Sequence, residues 1–157
     1  MRFEDRFTER AKSVLTFAHE AAAELGHGYV GSEHILLGIA RDGGGAAARV
    51  LRNNGLDKDF ILTLIEKHTG RGDRGETTPQ GLTPRAKRVI ELAAMDANRL
   101  GHSYIGTEHL LLGILREPDS AAAKMMTATG LDLNRLYTDI LNIVNSGNYR
   151  EMAAVQA

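Results

Sequence analysis

The chain carries one sequence twice. Residues 7–68 and 82–143 align without a gap at a constant offset of 75, and 27 of the 62 aligned pairs are identical. The densest match sets Gly26–Gly38 against Gly101–Gly113, both running Gly-His-x-Tyr-Val/Ile-Gly-Ser/Thr-Glu-His-Ile/Leu-Leu-Leu-Gly. Repetition this strong specifies two copies of one supersecondary unit packed on each other, because a single copy cannot bury its own apolar face. Any site built by one copy is then expected twice. That favours binding over one-of-a-kind catalysis.

Apolar spacing within each copy is helical. Ala11, Val14, Leu15, Ala18, Ala22 and Leu25 recur with a helix period, as do Ala86, Val89, Ile90, Ala93, Ala97 and Leu100. Thr8 and Thr83 stand where an N-cap belongs, and Pro84 occupies the first helical position, where its missing N–H costs nothing. Gly26 and Gly101 supply the stops. A second helix is predicted after Ser32 and Thr107, ending at Gly43-Gly44-Gly45 and Pro118-Asp119-Ser120. A short third helix is predicted over about Ala46–Asn53 and Ala121–Thr129, and a fourth from Asp57 to about His68 and from Asp132 to about Ile143. No alternating strand pattern is found. The expected fold class is all-α: eight helices in two pseudo-symmetric four-helix repeats packed as one domain. Residues 69–81 contain no large apolar side chain and are predicted to link the repeats, within a domain over 1–146; residues 147–157 are expected to form a tail or linker.

Composition excludes several function classes. There is no cysteine, so disulfides, thiolate metal sites and thiol catalysis are out. Formal net charge is −1, which gives no global field for nucleic acid or an anionic membrane. No apolar run approaches the roughly 18–20 residues of a membrane span, and the charged start Met1–Arg6 is not expected to be a secretory signal. A cytoplasmic location is expected. No phosphate loop of the form G-x-x-x-x-G-K-S/T occurs, and no nucleophile elbow, so no enzyme and no cofactor are expected. The protein should neither bind nor hydrolyse ATP; saturable binding in a calorimetric titration would overturn that.

The element Gly-Ser/Thr-Glu-His carries the chemistry. Ser32 and Thr107 are expected N-caps, yet the acid of a capping box is displaced: Ile35 and Leu110 stand three residues on, and the acids are Glu33 and Glu108. A carboxylate there at least favours the positive helix end. A sharper reading combines two properties. Free N–H groups, a hydroxyl and the helix dipole attract an anion, while the carboxylate holds a cation. Together they match a ligand carrying both charges, such as a guanidinium joined to a phosphate. His27, His34, His102 and His109 lack the i, i+4 spacing of a zincin; a ring packed between helices and bonded to a carbonyl is expected instead of a metal ligand. Gly38 and Gly113 inside helices imply close helix–helix approach. Arg10, Lys12, Arg85, Lys87 and Arg88 begin the first helices as solvated faces or as docking groups.

The paired runs Arg6–Lys12 and Leu82–Lys87, the two Leu-Gly-His-x-Tyr motifs and the Ala-Ala-Arg/Lys segments resemble the double Clp N-terminal repeat, the N-terminal domain of ClpC-type AAA+ unfoldases. The resemblance spans about residues 3–146. It implies an eight-helix docking domain that receives adaptor proteins and phosphoarginine-containing proteins for an ATP-driven motor feeding the ClpP protease. It also implies phosphoarginine binding at Glu33 and Glu108, with Ser32, Thr107, His34 and His109 beside them. Docking of peptides or cyclic-peptide antibiotics is implied near Arg10 and Arg85. No nucleic-acid, membrane or metal partner is implied. The chain departs from the family at Gly43-Gly44-Gly45, Pro118-Asp119-Ser120 and Met125-Met126-Thr127. The alternative to a motor-attached docking module is a free-standing interaction or decoy protein that sequesters partners.

Overall fold

Each first helix begins where a threonine satisfies an orphaned backbone donor. Thr8 Oγ1 accepts from Ala11 N at 3.0 Å and opens α1 (Glu9–Glu24); Thr83 Oγ1 accepts from Ala86 N at 3.0 Å and opens α5 (Pro84–Arg99). Gly26 and Gly101 follow these helices with φ of 71° and 77°, the left-handed conformation that ends a helix at glycine without strain. The remaining helices are α2 (Ser32–Asp42), α3 (Ala46–Asn53) and α4 (Lys58–His68), then α6 (Thr107–Leu115), α7 (Ala121–Ala128) and α8 (Leu133–Val144). Asp57 caps α4 at Phe60 N (2.8 Å), and Asp132 caps α8 at Asn134 N (2.9 Å). This computed structural model describes residues 3–72 and 77–145. The expected tail 147–157 and positions 73–76 of the expected linker lie outside them. Among the described residues there are eight α-helices, one 3-10 turn at Phe3–Arg6 and no strand.

The two most deeply buried helices, α2 and α6, sit at the centre. Every residue of α2 from Ser32 to Ile39 and every residue of α6 is buried, so both are enclosed on all sides. α1 packs along α2, α5 along α6, and α2 touches α6. Gly38 and Gly113 are the points of closest approach. A Cβ at Gly38 would overlap the Val14 carbonyl oxygen of α1, and one at Gly113 the Val89 carbonyl oxygen of α5. Close helix–helix approach, expected from sequence, is what these glycines permit.

Contacts between the halves come in reciprocal pairs. α1 on α6 matches α5 on α2, α3 on α6 matches α7 on α2, and α3 on α8 matches α7 on α4. Two isolated bridges cross between the halves, Phe7 with Ile105 and Val30 with Leu82. Their hydrogen bonds are reciprocal as well: Thr8 N to Ile105 O (3.0 Å) and Ile105 N to Arg6 O (2.8 Å), against Thr83 N to Val30 O (2.9 Å) and Val30 N to Gly81 O (2.8 Å). Exchange of roles throughout defines an approximate two-fold axis between α2 and α6. Symmetry fails at Asp96, which replaces Ala21. Asp96 is fully buried, and its Oδ1 accepts from Arg116 Nη1 and from Arg99 Nη2 (3.1 Å).

Candidate functional site

The Gly-Ser/Thr-Glu-His element folds one residue differently from the sequence expectation. The N-caps are Gly31 and Gly106, not Ser32 and Thr107, which are the first helical residues. The reason is the histidine. With glycine as cap, the third helical position is His34 or His109, and its Nδ1 accepts the cap N–H: Gly31 N at 2.8 Å, Gly106 N at 2.9 Å. Histidine thus does what the glutamate of a capping box does. Behind it runs a directed chain of hydrogen bonds. His34 Nδ1 accepts, so His34 Nε2–H donates to His27 Nδ1 at 2.7 Å, and His27 Nε2–H donates to the Gly70 carbonyl at 2.7 Å. His109 Nε2 meets His102 Nδ1 at 2.8 Å in the second repeat. Burial, reinforced by neighbouring His27, pushes His34 down to about 4. Burial, with His102 and Arg6, pushes His109 down to about 3. Burial also lowers His102. His34 and His109 are buried beneath the helix starts and held neutral near pH 7, each bonded to its own cap N–H.

Glu33 and Glu108 fold back over their own helix starts. Each carboxylate occupies the space a Cβ would take on Gly31 or Gly106. Thr69 Oγ1 donates to Glu33 Oε2 at 3.4 Å. Glu33 retains an opening to solvent at 7% exposure, whereas Glu108 has none. Beside Glu33 lies a cavity of about 530 Å³ lined by Ser32, Glu33, Thr83, Pro84, Arg85, Asp119, Ala121 and Lys124. Three helix starts, those of α2, α5 and α7, converge on it, each the positive end of a helix dipole. Glu33 and Asp119 supply negative charge, Arg85 and Lys124 positive. Such a wall accommodates a ligand bearing a cation and an anion side by side.

Ser32 does not cap its own helix. Its Oγ accepts from Ala122 N, 90 residues along the chain, at 3.0 Å, and Ser120 Oγ accepts from Ala123 N at 3.2 Å. The start of α7 is thereby capped twice. The counterpart at α3 is bare: its cap is Gly45, and Thr107 Oγ1 is buried without a hydrogen-bond partner.

Arg10 and Arg85 differ although they are equivalent in sequence. Arg85 pairs with Glu117 at 3.1 Å and remains half exposed on the cavity wall. Arg10 pairs with Asp42 at 3.0 Å, and its guanidinium lies against Gly44 while its Cδ lies against Gly45. Neither glycine leaves room for a Cβ there. Asp119 and Ser120, at the matching positions, carry one. A partly exposed ion pair such as Arg10–Asp42 contributes only about 0–1 kcal/mol.

Of the residues singled out from sequence for two separate roles, the structure brings Ser32, Glu33 and Arg85 onto one cavity, while Thr107, Glu108, His34, His109 and Arg10 do not line it. Sequence reasoning missed Thr83, Pro84, Asp119 and Lys124, which only the crossed packing of the repeats brings there. Among the described residues no group of three histidine, aspartate or glutamate side chains could hold a metal ion, and no helix is long and apolar enough to cross a membrane.

Comparison with known proteins places this architecture. The Clp repeat (R) N-terminal domain family matches residues 6–129 and 81–151. The negative regulator of genetic competence ClpC/MecB of Bacillus subtilis is 46% identical over 149 residues, covering 95% of this chain and 18% of that protein. The chain thus spans under a fifth of that relative's length. Among solved structures, the N-terminal domain of the chaperone ClpD from Arabidopsis thaliana matches with a TM-score of 0.75 at 23% identity, covering 90% of this chain and 99% of that one. A complex of the ClpV N-domain with a VipB peptide matches with a TM-score of 0.68 at 19% identity, covering 89% of both chains. With eight helices, two reciprocal halves and a family match over nearly its whole length, the chain belongs to the Clp N-terminal repeat family.

Proposed function

We propose that the chain is a docking domain of a Clp-type unfoldase and that the Glu33 cavity receives phosphoarginine side chains of marked substrates. The observation that carries the reading is the cavity itself: two carboxylates, Glu33 and Asp119, two cationic side chains and three helix starts around about 530 Å³. Guanidinium against Glu33, with the phosphoryl group toward Arg85, Lys124 and the positive ends of the helix dipoles, gives each charge its complement. The peptide-bound ClpV N-domain supports a receiving role for this fold. Glu108 is the counterpart in the second repeat. Substrates and adaptors held here are passed to an ATP-driven motor and the ClpP protease, in a cytoplasmic setting.

A charge-assisted hydrogen bond contributes about 1.5–3 kcal/mol. Glu33→Ala should therefore weaken phosphoarginine binding at its cavity about tenfold or more. Unmodified arginine should bind far more weakly, because it brings no anion to the helix starts. Calorimetry on wild type, Glu33→Ala and the Glu33→Ala/Glu108→Ala double variant checks this. Undiminished binding by a folded double variant would reduce the glutamates to helix-end stabilisers.

A further inference from the structure

The two glutamate sites are unequal, and the difference is in the loops before α3 and α7. At α7 the hydroxyls of Ser32 and Ser120 hold the N–H groups of Ala122 and Ala123, and the cavity in front is open. At α3 the loop is Gly43-Gly44-Gly45, which provides no capping side chain. The missing Cβ atoms leave a bed on which the Arg10 side chain lies. Two polar atoms are buried there without hydrogen-bond partners, Thr107 Oγ1 and Arg10 Nε. Thr107 is 1% exposed, and its hydroxyl stands at the position a Cβ on Gly45 would reach.

Buried polar groups without partners cost stability and are uncommon in native structures. These two lie together at an uncapped helix start, where an anion would be stabilised by N–H groups and the dipole. Both would gain partners if the guanidinium lifted: Arg10 Nε would meet water, and Thr107 Oγ1 would meet water or the oxygen of an anion. One partly exposed ion pair to Asp42 and packing against glycine hold the side chain down.

We propose that Arg10 is a gate: laid on Gly44-Gly45 and latched by Asp42, it closes the Thr107–Glu108 site, leaving the chain one open and one latent phosphoguanidine site. The inference rests on the reading of Glu33 and Glu108 as a phosphoarginine pair. Gly44 and Gly45 set the closure, because a side chain at either position would lift the guanidinium. At the matching positions Asp119 and Ser120 carry side chains, and Arg85 is half exposed. An adaptor or substrate that draws Arg10 away from Asp42 would open the second site.

Two measurements on the whole chain test this, and their failures differ. Without ligand, the Arg10 Nε–H signal, identified by its loss in Arg10→Lys, should exchange slowly with water at neutral pH, while that of half-exposed Arg85 exchanges fast. Asp42→Asn and Gly44→Asp should each abolish the protection. Equal, fast exchange of both arginines in wild type would overturn the gate whatever binds. With phosphoarginine as probe, amide shifts at Ser32 and Glu33 should saturate at lower concentration than those at Thr107 and Glu108. A gate closed about nine-tenths of the time weakens apparent affinity about tenfold, so Arg10→Ala should strengthen the second set by that factor and leave the first unchanged. Equal affinities in wild type, or no response to Arg10→Ala, would overturn the gate. If no amide shifts at all, the phosphoarginine reading fails, while the exchange measurement still decides whether Arg10 is closed.

Discussion

Gly38→Ala and Gly113→Ala should each lower the free energy of unfolding by about 2 kcal/mol. Alanine gains roughly 1 kcal/mol over glycine in a helix interior. Here that gain is overwhelmed, because the added methyl would run into a backbone atom: the Val14 carbonyl oxygen for Gly38 and that of Val89 for Gly113, with Ala18 N and Ala93 N within 3.3 Å. Backbone cannot rotate away as the end of a side chain can. α1 must lift off α2, or α5 off α6, and overpacking of a well-packed core costs about 1–3 kcal/mol or more. Gly28 is the control. A Cβ there meets nothing within 4 Å, so Gly28→Ala should leave the urea midpoint within experimental scatter. A Gly38→Ala midpoint equal to that of Gly28→Ala would show that these helices separate without cost.

Acid should unfold the protein steeply, and two histidines set where. His34 and His109 are held below their usual 6.5, at about 4 and about 3. Their neutral forms are the ones the fold accommodates, since each Nδ1 faces a backbone N–H that a second ring proton would oppose. The stability they contribute is fully present above pH 6.5, where the unfolded chain is also neutral. It is lost as pH falls from 6.5 toward 4 and 3, because the unfolded state binds protons that the folded state refuses. Two rings give an uptake of nearly two protons near pH 5.5, or about 2 kcal/mol lost between pH 6 and pH 5. Urea unfolding at pH 8, 7, 6 and 5 measures the slope. His34→Asn/His109→Asn keeps an acceptor near each cap N–H; it should be less stable at pH 7 yet nearly flat from pH 6 to pH 5. An unchanged slope in that variant would move the proton uptake to other groups.

Helices in this chain were legible because their signals are local. Thr8, Thr83, Asp57 and Asp132 cap through atoms two or three residues away, and Ala46–Asn53 is bounded by its own glycines. Placement of the cap at Ser32 failed for a physical reason. Serine is a good capping residue, but its hydroxyl is taken by Ala122 of the other repeat, and no local pattern reports a bond 90 residues long. Histidine as the capping partner was also illegible, since an acid is the usual sign. Glu33 was singled out from its helix-start position and the family resemblance; the cations near it on the cavity, Arg85 and Lys124, arrive through tertiary packing. The loop difference between Gly43-Gly44-Gly45 and Pro118-Asp119-Ser120 was visible in the sequence. What it does to Arg10 was not, because the bed beneath the guanidinium exists only once α1 and α2 are packed.

The crossed bridges Phe7–Ile105 and Val30–Leu82 bear on ancestry and assembly. Contacts in which partner one does to partner two what two does to one have the form of an isologous homodimer interface. A single repeat therefore already possesses both complementary surfaces, and two separate copies could have associated through them before any fusion. Joining them in one chain turns a concentration-dependent association into an intramolecular one, with an effective concentration on the order of millimolar for a short connection. It also frees the copies from identity. A homodimer changes both of its loops with every mutation, whereas the fused pair can keep serine in one loop and glycine in the other, two different loops on one ancestral plan.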